Sequence, residues 1–597
     1  MSFSIPRELQ EILSRASSDN AASVMAAVHE IEQSGIPLDV TANVVVLRNF
    51  TAEALEPFVR YHTYAAGLKP SIMFGGYDLA TQDLMDEAGP LHVAHPDLVV
   101  LALVIENLDP SYQMPGWASD LVIERLGALF DLARKSTSAM IAVNTFIPPT
   151  YSELGLAPPS GRDIISEVMK INSFVKTFVA ENASRFCLVD WERYLRILGE
   201  GQSLDHRYWY LARAPFRTRF LDLYASEIVR VLRVLKGKAK KCLILDCDNT
   251  LWGGVVGEDG LDGIALDVYD YPGRAFYDFQ RVVLHLADRG ILVALCSKNN
   301  EADVMEVLER HPACLLKPSH LAAWRIDWND KATNVIALAE ELNLGLDSFV
   351  FVDDSPLECE QLRRFIPDLT VLQVPDTLFT YPTLLLRDGL FDTLKVSAED
   401  QRRAALYQSE AQRKKARASY HNVDEYLATL GMVATIHRAA HGELGRVAQL
   451  TQKTNQFNVT TRRYTEGEIE RLAAAPNSAV YTLSANDRFG DMGLVGVLIA
   501  TLTEDIGTID TLLMSCRVLG RRLETAFVGH CLGVLEKMWS VRTWQAEYIS
   551  TRKNQMAASF WSTAGFAEVS SHEGRTQYVL KAGDADRLLS DFIEIRE

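Results

Sequence analysis

One stretch limits the fold of this 597-residue chain more than any other: KCLILDCDNTLWGGVVGEDG, residues 241–260. Its apolar run, residues 242–245, is rich in strand-forming residues and stops at Asp246 and Asp248, and glycines follow. The pattern predicts a buried parallel strand with a glycine-rich turn after it. Ligands bind outside the carboxyl ends of such strands, and two acids two residues apart on an extended chain can hold a divalent cation. A polar strand end with a helix cap is the alternative.

Three further polar signals follow in a set order. The apolar run 291–295 leads into Cys296 and Ser297, Lys331 opens a helical segment, and the run 349–352 ends at Asp353 and Asp354. Phosphoryl transfer needs a carboxylate nucleophile, an acid/base, a hydroxyl and an ammonium group for phosphate oxygens, and acids for magnesium. This order of residues supplies each part and therefore predicts magnesium-dependent phosphoryl chemistry.

At these residues the chain resembles the haloacid dehalogenase superfamily, and more closely its FkbH-like branch. The resemblance is carried by LDCDNTLWGGVVGEDG, by WNDKATNVIALAEELNLGLDSFVFVDDSP and by LTQKTNQFNVTTRRY at 450–464. It implies that Asp246 is the nucleophile, which becomes an aspartyl phosphate, and that Asp248 is the general acid/base. One departure is SPLEC at 355–359, where such relatives read Asn-Pro-x-Glu-Arg.

The resemblance also implies the ligands of the phosphoryl group and the metal. Ser297 and Lys331 would hold the phosphoryl group, and Thr250, Lys298 and Asn299 are further candidate substrate contacts. Magnesium would be coordinated by Asp246, Asp353 and Asp354, and by Asp248 through its backbone carbonyl.

Composition excludes several classes of partner. The net charge of -18 argues against a nucleic acid or an anionic membrane surface. The eight cysteines are scattered without a C-x-x-C pair, which favours free thiols over disulfides or zinc. The first twenty residues are charged and amphipathic rather than signal-like, and no apolar run is long enough to span a membrane. We therefore expect a cytoplasmic protein.

The length favours several domains. We predict an α/β domain at 1–236, a capless haloacid dehalogenase-like catalytic domain with a parallel sheet at 237–396, a helical connector at 397–431 and an α+β domain at 432–597. About fifty residues separate Asp246 from Ser297, which leaves no room for a separate cap domain. Such an open site can accept a large, protein-tethered substrate or be closed by neighbouring domains.

The first domain alternates strand and helix signals and is compatible with an SGNH-hydrolase-like fold. Its predicted strands are 44–47, 71–74, 98–105, 139–143 and 186–189. LRNFT at 47–51 stands where a Gly-Asp-Ser turn belongs, so we expect docking or lid closure rather than hydrolysis. Thr51 is predicted to cap a helix, and His206 to be a packed or surface residue.

The last domain resembles the GCN5-related acetyltransferases at 515–524 and 554–569. A strand, a basic glycine-containing turn and a helix start predict a pyrophosphate cradle. Arg522 occupies the last small position of that pattern, so we do not expect acetyl-CoA catalysis. Arg517 and Gly520 could instead recognise a phosphopantetheine arm, or the segment is a structural junction. Asn455, Gln456 and Arg462, with Lys453 and Asn458, are the other predicted recognition residues.

The FkbH-like resemblance implies a reaction. A glyceryl unit from 1,3-bisphosphoglycerate would be dephosphorylated and loaded onto the phosphopantetheine thiol of an acyl carrier protein, for polyketide or related biosynthesis. Cys247 is either a transient acyl acceptor or a small buried residue that points away from Asp246 and Asp248. The alternatives are a phosphatase for a free metabolite and a non-catalytic carrier-docking protein.

Overall fold

A computed structural model describes residues 5–157, 163–395, 402, 406–407, 409, 413, 416–417, 420, 422–551, 553–588 and 592–597, without the side chains of residues 423, 424, 516 and 586. These residues form two compact units, 5–238 and 239–597. Of the 35 residues of the predicted connector at 397–431, 17 lie outside the described residues. The predicted domain limits stay predictions.

The first unit is built on a parallel sheet of five strands in the order β2-β1-β3-β4-β5. Its strands are β1 (Thr41–Arg48), β2 (Lys69–Tyr77), β3 (Leu98–Ala102), β4 (Met140–Asn144) and β5 (Phe186–Val189). Its helices are α1 (Arg7–Arg15), α2 (Ala21–Ser34), α3 (Glu56–Ala65), α4 (Ala80–Met85), α5 (Pro90–Ala94), α6 (Ile105–Leu108), α7 (Asp120–Ser136), α8 (Ile164–Glu181), α9 (Trp191–Leu198), α10 (Glu200–Ser203), α11 (His206–Ala212) and α12 (Thr218–Leu235). Every residue of β3 and β4 is buried, as expected for parallel strands covered on both faces.

Two predictions for this unit have different outcomes. The prediction that Thr51 caps a helix is wrong, because its hydroxyl donates to the carbonyl of Ala212 over 2.6 Å. The 3₁₀ turn Glu53–Leu55 begins at Ala52 without a side-chain cap. His206 is an exposed residue, 3.1 Å from Oε1 of Glu200.

The second unit begins with another five-stranded parallel sheet, in the order β10-β9-β6-β7-β8. Its strands are β6 (Cys242–Leu245), β7 (Leu292–Ser297), β8 (Leu321–Ile326), β9 (Phe349–Asp353) and β10 (Thr370–Gln373). Its helices are α13 (Val256–Gly263), α14 (Gly273–Asp288), α15 (Glu301–Arg310), α16 (Lys331–Leu342) and α17 (Pro356–Phe365). The central strand β6 is flanked by β7 and β9, so the residues that follow these three strands are neighbours.

The unit continues with an eight-stranded sheet in the order β16-β17-β15-β14-β13-β12-β11-β18. Its strands are β11 (Met432–Arg438), β12 (Ser478–Asp487), β13 (Gly490–Thr503), β14 (Ile506–Met514), β15 (Thr543–Ile549), β16 (Ala567–His572), β17 (Arg575–Lys581) and β18 (Ile593–Arg596). Its helices are α18 (Val423–Leu430), α19 (Leu444–Lys453), α20 (Glu466–Ala474), α21 (Leu523–Met538) and α22 (Phe560–Thr563). The pairs β14–β15 and β11–β18 are parallel and the others antiparallel. The predicted fold class, a multidomain α/β chain, is confirmed.

Within the described ranges, no helix combines the length and the apolar composition that crossing a membrane requires. None of the seven cysteines with described side chains forms a disulfide, in agreement with the predicted free thiols.

Candidate active site

The candidate site lies at the carboxyl ends of three neighbouring strands. Asp246 follows β6 and its amide donates to the carbonyl of Val352 over 3.0 Å. Ser297 ends β7 and Asp353 ends β9. Because β6 lies between the other two strands, the polar residues that the sequence places far apart meet at one edge of the sheet.

Three carboxyl groups converge at this edge. Asp246, Asp353 and Asp354 each contribute one carboxylate oxygen, and these three oxygens lie within 4.8 Å of one another. Asp246 and Asp353 are buried, and Oδ1 of Asp246 has no hydrogen-bond partner among the described residues. A cluster of carboxylate oxygens with an unsatisfied buried oxygen is a donor set that suits Mg²⁺. The three residues therefore fit a magnesium ion.

Lys331 provides the positive charge in this cluster. It begins α16 after the N-cap residue Asp330, and its Nζ lies 2.6 Å from Oδ2 of Asp353 and 3.2 Å from Oδ2 of Asp246. Burial alone would lower the pKa of Lys331, but the two carboxylates outweigh burial and hold that pKa above its usual value.

The charges of the acids are not fully balanced by Lys331. Burial raises the pKa of Asp246 to about 7, Lys331 acts in the opposite direction, and Asp353 adds to the rise. Burial, and then the charge of Asp353, raises the pKa of Asp354. A divalent cation would remove this repulsion and favour the ionised form of each acid.

Asp248 differs from the other acids, because its side chain is held by hydrogen bonds. Oδ1 accepts from the indole Nε1 of Trp252 over 2.8 Å and from the amide of Val256 over 3.1 Å. Oδ2 accepts from Nδ2 of Asn299 over 2.8 Å. The side chain of Asp248 is not part of the carboxylate cluster, which leaves it available for proton transfer. Sequence reasoning missed Trp252, although this residue closes the motif.

The turn after β6 depends on its glycines. Gly254 has φ +92°, and a Cβ there would lie 2.5 Å from Oδ2 of Asp259. Its amide donates to Oδ1 of Asn249, which itself has φ +52°. This tight turn brings Trp252 back towards Asp248.

The predicted phosphate-binding residues have different surroundings. Ser297 is buried and lies next to Asp246, whose pKa it lowers after the larger effects of burial, Lys331 and Asp353. Thr250 is buried and its Oγ1 has no hydrogen-bond partner among the described residues. Lys298 instead forms an ion pair with Glu358 of α17 at 2.7 Å, and Asn299 bonds to Asp248. The phosphate-binding roles stay predictions.

Cys247 is fully buried. Burial, and then the charge of Asp246, raises the pKa of its thiol well above the usual value. A thiol in this state is a weak nucleophile, which favours the interpretation of Cys247 as a small buried residue.

The connection between β6 and β7 places no additional domain over the carboxyl edge of this sheet. That connection contains only the turn, α13 and α14. The C-terminal sheet domain contacts the opposite edge: Nζ of Lys241, just before β6, donates to the carbonyl of Lys453. Lys553 forms an ion pair with Asp347, just before β9. Both contacts lie at the amino ends of the strands, whereas the acids of the candidate site lie at the carboxyl ends.

Two of the recognition residues predicted at 453–462, Asn455 and Arg462, make contacts inside their own domain. Arg462 forms ion pairs with Asp510 and with Glu547 at 3.2 Å. Asn455 accepts from Arg463 over 2.6 Å, and Gln456 has a buried Oε1 without a hydrogen-bond partner among the described residues. Arg462 therefore has a structural role, and recognition by these residues stays a prediction.

The predicted phosphate cradle at 515–524 contains a carboxyl group of its own. The amide of Gly520 donates to Oε1 of Glu524 over 2.8 Å, and burial raises the pKa of that carboxyl group. Arg517 is buried, and its Nε donates to Oγ of Ser515 over 3.2 Å. Arg522 has φ +62° and precedes α21. The Glu524 carboxyl group thus occupies one donor that a bound pyrophosphate would use.

No protein-family model matches the chain, and no curated protein matches it. Among solved structures, it is similar to the N-terminal part of the protein BF1531 from Bacteroides fragilis, which contains a phosphatase domain and is complexed with Mg. The identity is 24%, the TM-score is 0.55, and the likeness covers 65% of this chain and 99% of that one. The two chains share a fold over this range.

A quarter of the chain is similar to acetyltransferase structures, with low TM-scores. The ribosomal-protein-S18-alanine N-acetyltransferase from Escherichia coli is 16% identical, with a TM-score of 0.21 over 25% of this chain and 94% of that one. A GNAT-family acetyltransferase from Streptococcus pneumoniae is 14% identical, with a TM-score of 0.20 over 25% of this chain and 99% of that one.

Proposed function

We propose that this chain is a Mg²⁺-dependent phosphatase and glyceryl transferase. It would take a glyceryl unit from 1,3-bisphosphoglycerate, remove phosphate, and load the unit onto the phosphopantetheine thiol of an acyl carrier protein. The observation that carries the phosphatase part is the meeting of Asp246, Asp353 and Asp354 with Lys331 at the carboxyl edge of the sheet. The Mg-bound phosphatase domain of the similar structure agrees with it.

The residues support a two-step phosphate removal. A carboxylate oxygen of Asp246 attacks phosphorus, the ester P–O bond breaks, and Asp248 donates a proton to the departing oxygen. Asp248 then takes a proton from water, which attacks the aspartyl phosphate and releases inorganic phosphate. Lys331 and Ser297 hold the phosphoryl oxygens. Bound Mg²⁺ would offset the repulsion between the phosphate and the carboxylates.

The transferase part rests on the FkbH-like sequence resemblance and on the open site. The carrier thiol attacks the acyl carbon of the acyl phosphate and forms the C–S bond, the C–O bond to phosphate breaks, and the departing phosphate takes the thiol proton, which leaves a 3-phosphoglyceryl thioester. Asp246 then removes the remaining phosphate as above. A site without a cap domain admits such a protein-bound substrate.

Intact-protein mass spectrometry tests this proposal. The chain is incubated with Mg²⁺, with 1,3-bisphosphoglycerate generated in situ and with a phosphopantetheinylated acyl carrier protein. We expect a glyceryl adduct on the carrier that is absent with Asp246→Asn. Phosphate release without an adduct would indicate a phosphatase for a free metabolite, and an adduct that survives Asp246→Asn with its phosphate removed would exclude this site.

A further inference from the structure

Six of the seven residues of the short helix α11 in the first unit are exposed, and Trp209 is half-buried. None of its residues is buried, and the side chains of Tyr210 and Leu211 are 80% and 75% exposed. Exposed aromatic and apolar side chains that form a cluster mark interaction sites more often than single exposed ones do.

The same segment concentrates positively charged side chains. Residues 206–219 contain four arginines and no acid, in a chain of net charge -18. We call this surface the arginine face; it comprises the following residues: Arg207, Tyr208, Tyr210, Leu211, Arg213, Arg217 and Arg219.

The acids near the arginine face are few. Asp205 lies 3.9 Å from Arg207 and 3.7 Å from Arg217, and Asp19 lies 3.2 Å from Arg219. Glu106 lies near Arg213: burial raises the pKa of that acid, and the charge of Arg213 opposes the rise. Three acids therefore face four arginines, and Glu200 faces His206.

Two of the arginines are held against aromatic rings. Cζ of Arg207 lies 4.6 Å from the ring centroid of Tyr208, and Cζ of Arg213 lies 4.9 Å from that of Trp209. Stacking restricts the guanidinium groups before any partner arrives, so less side-chain entropy is lost on binding.

The arginine face lies at the carboxyl end of β1. The amide of Thr51 donates to the carbonyl of Arg213 over 2.9 Å, and its hydroxyl donates to that of Ala212. In the order β2-β1-β3-β4-β5, strand order reverses between β1 and β3, and ligands of such sheets bind at that point.

We propose that the arginine face is the docking surface for the acidic acyl carrier protein, an inference that rests on the proposed function. The net negative charge of the chain opposes approach of an acidic protein, and this face offers it local attraction together with exposed aromatic side chains. Charge complementarity of this kind governs association rate and orientation.

The test uses the full chain, the carrier that the unaltered chain loads, and a charge reversal, Arg207→Glu with Arg213→Glu. We expect the Kd for the carrier to rise at least tenfold and loading to fall at low carrier concentration. Phosphate release from a small phosphate ester should stay unchanged, since neither residue belongs to the catalytic edge. The matched control is Arg7→Glu with Arg310→Glu, two exposed arginines outside the face, which should leave the Kd within about twofold.

Each result separates the two proposals. If the charge-reversal variant binds the carrier with the same Kd as the unaltered chain and loads it equally well, the docking inference is wrong and the proposed function stands. If the unaltered chain loads no carrier, the proposed function fails, and the docking inference fails with it. Binding to phosphatidylglycerol vesicles, or self-association, that the reversal abolishes while carrier binding persists would also overturn the inference.

Discussion

The indole Nε1 of Trp252 lies 2.8 Å from Oδ1 of Asp248. This hydrogen bond joins the end of the motif to the acid that we propose for proton transfer. Because the carboxylate also accepts from Asn299 and the Val256 amide, its orientation is fixed before substrate binds. Fixed orientation of an acid/base group is what efficient proton transfer requires.

We predict that Trp252→Phe lowers kcat about tenfold for an alkyl phosphate ester, whose leaving group needs a proton. An aryl phosphate with an acidic leaving group should be affected much less. Steady-state kinetics on both substrates measures this difference. Trp324→Phe is the control, since it removes an indole hydrogen bond to Glu301 in the same domain. Equal losses on both substrates would contradict a role in proton transfer.

We predict that Lys331→Met lowers the free energy of unfolding by about 3–5 kcal/mol, because Asp246 and Asp353 lose their buried cation. Urea unfolding of the metal-free protein measures the loss. Lys298→Met, which breaks the more exposed pair with Glu358, should cost less than about 1 kcal/mol. Similar costs for the two variants would show that the buried charges are balanced in another way.

The contribution of Asp246 to the stability of the metal-free protein should be lost as the pH rises from about 4 to 7. The folded pKa of Asp246 is raised to about 7, so ionisation above the pKa of the unfolded chain is unfavourable only in the folded state. Asp246→Asn should therefore increase the free energy of unfolding by about 4 kcal/mol at pH 7.5, because the two pKa values differ by about three units and each unit is worth about 1.4 kcal/mol, and by little at pH 4.

Urea unfolding in EDTA at both pH values measures this dependence. Asp278→Asn is the opposite case, because hydrogen bonding to Arg274 outweighs burial and lowers the pKa of Asp278, so its loss should destabilise the protein at pH 7.5. A pH-independent effect of Asp246→Asn would contradict the raised pKa.

Cys247→Ala should retain phosphate release and carrier loading, because a buried thiol with a raised pKa supplies little thiolate. The two activities are compared by phosphate release and by the mass of the carrier. Loading that disappears while phosphate release persists would instead establish Cys247 as the acyl acceptor.

Much of the sheet that carries the site could be predicted from sequence, since buried parallel strands form uninterrupted apolar runs. The structure places β6 at the predicted residues 242–245 and begins α16 at Lys331. Asp246 then lies beside Asp353, because β6 and β9 are adjacent parallel strands. The uninterrupted apolar runs favour such a parallel sheet.

The partners of individual side chains could not be predicted in the same way. The bond from Trp252 to Asp248 depends on the positive φ of Asn249, which lies between the two residues and which hydrophobic periodicity does not encode. Arg462 is charged and lies next to polar residues in the sequence, a pattern that is typical of a recognition residue. Its partners Asp510 and Glu547 are 48 and 85 positions away. Contacts at such separations depend on tertiary packing.

The most direct test of the account is to trap the phosphorylated enzyme in a single turnover. The chain is mixed with Mg²⁺ and a ³²P-labelled phosphate ester, quenched in acid and digested, and the labelled peptide is sequenced. We predict a label on Asp246 that hydroxylamine removes, that is absent with Asp246→Asn and that accumulates with Asp248→Asn. Turnover without a labelled enzyme, or a hydroxylamine-stable label on another residue, would contradict the assignment of Asp246 as the nucleophile.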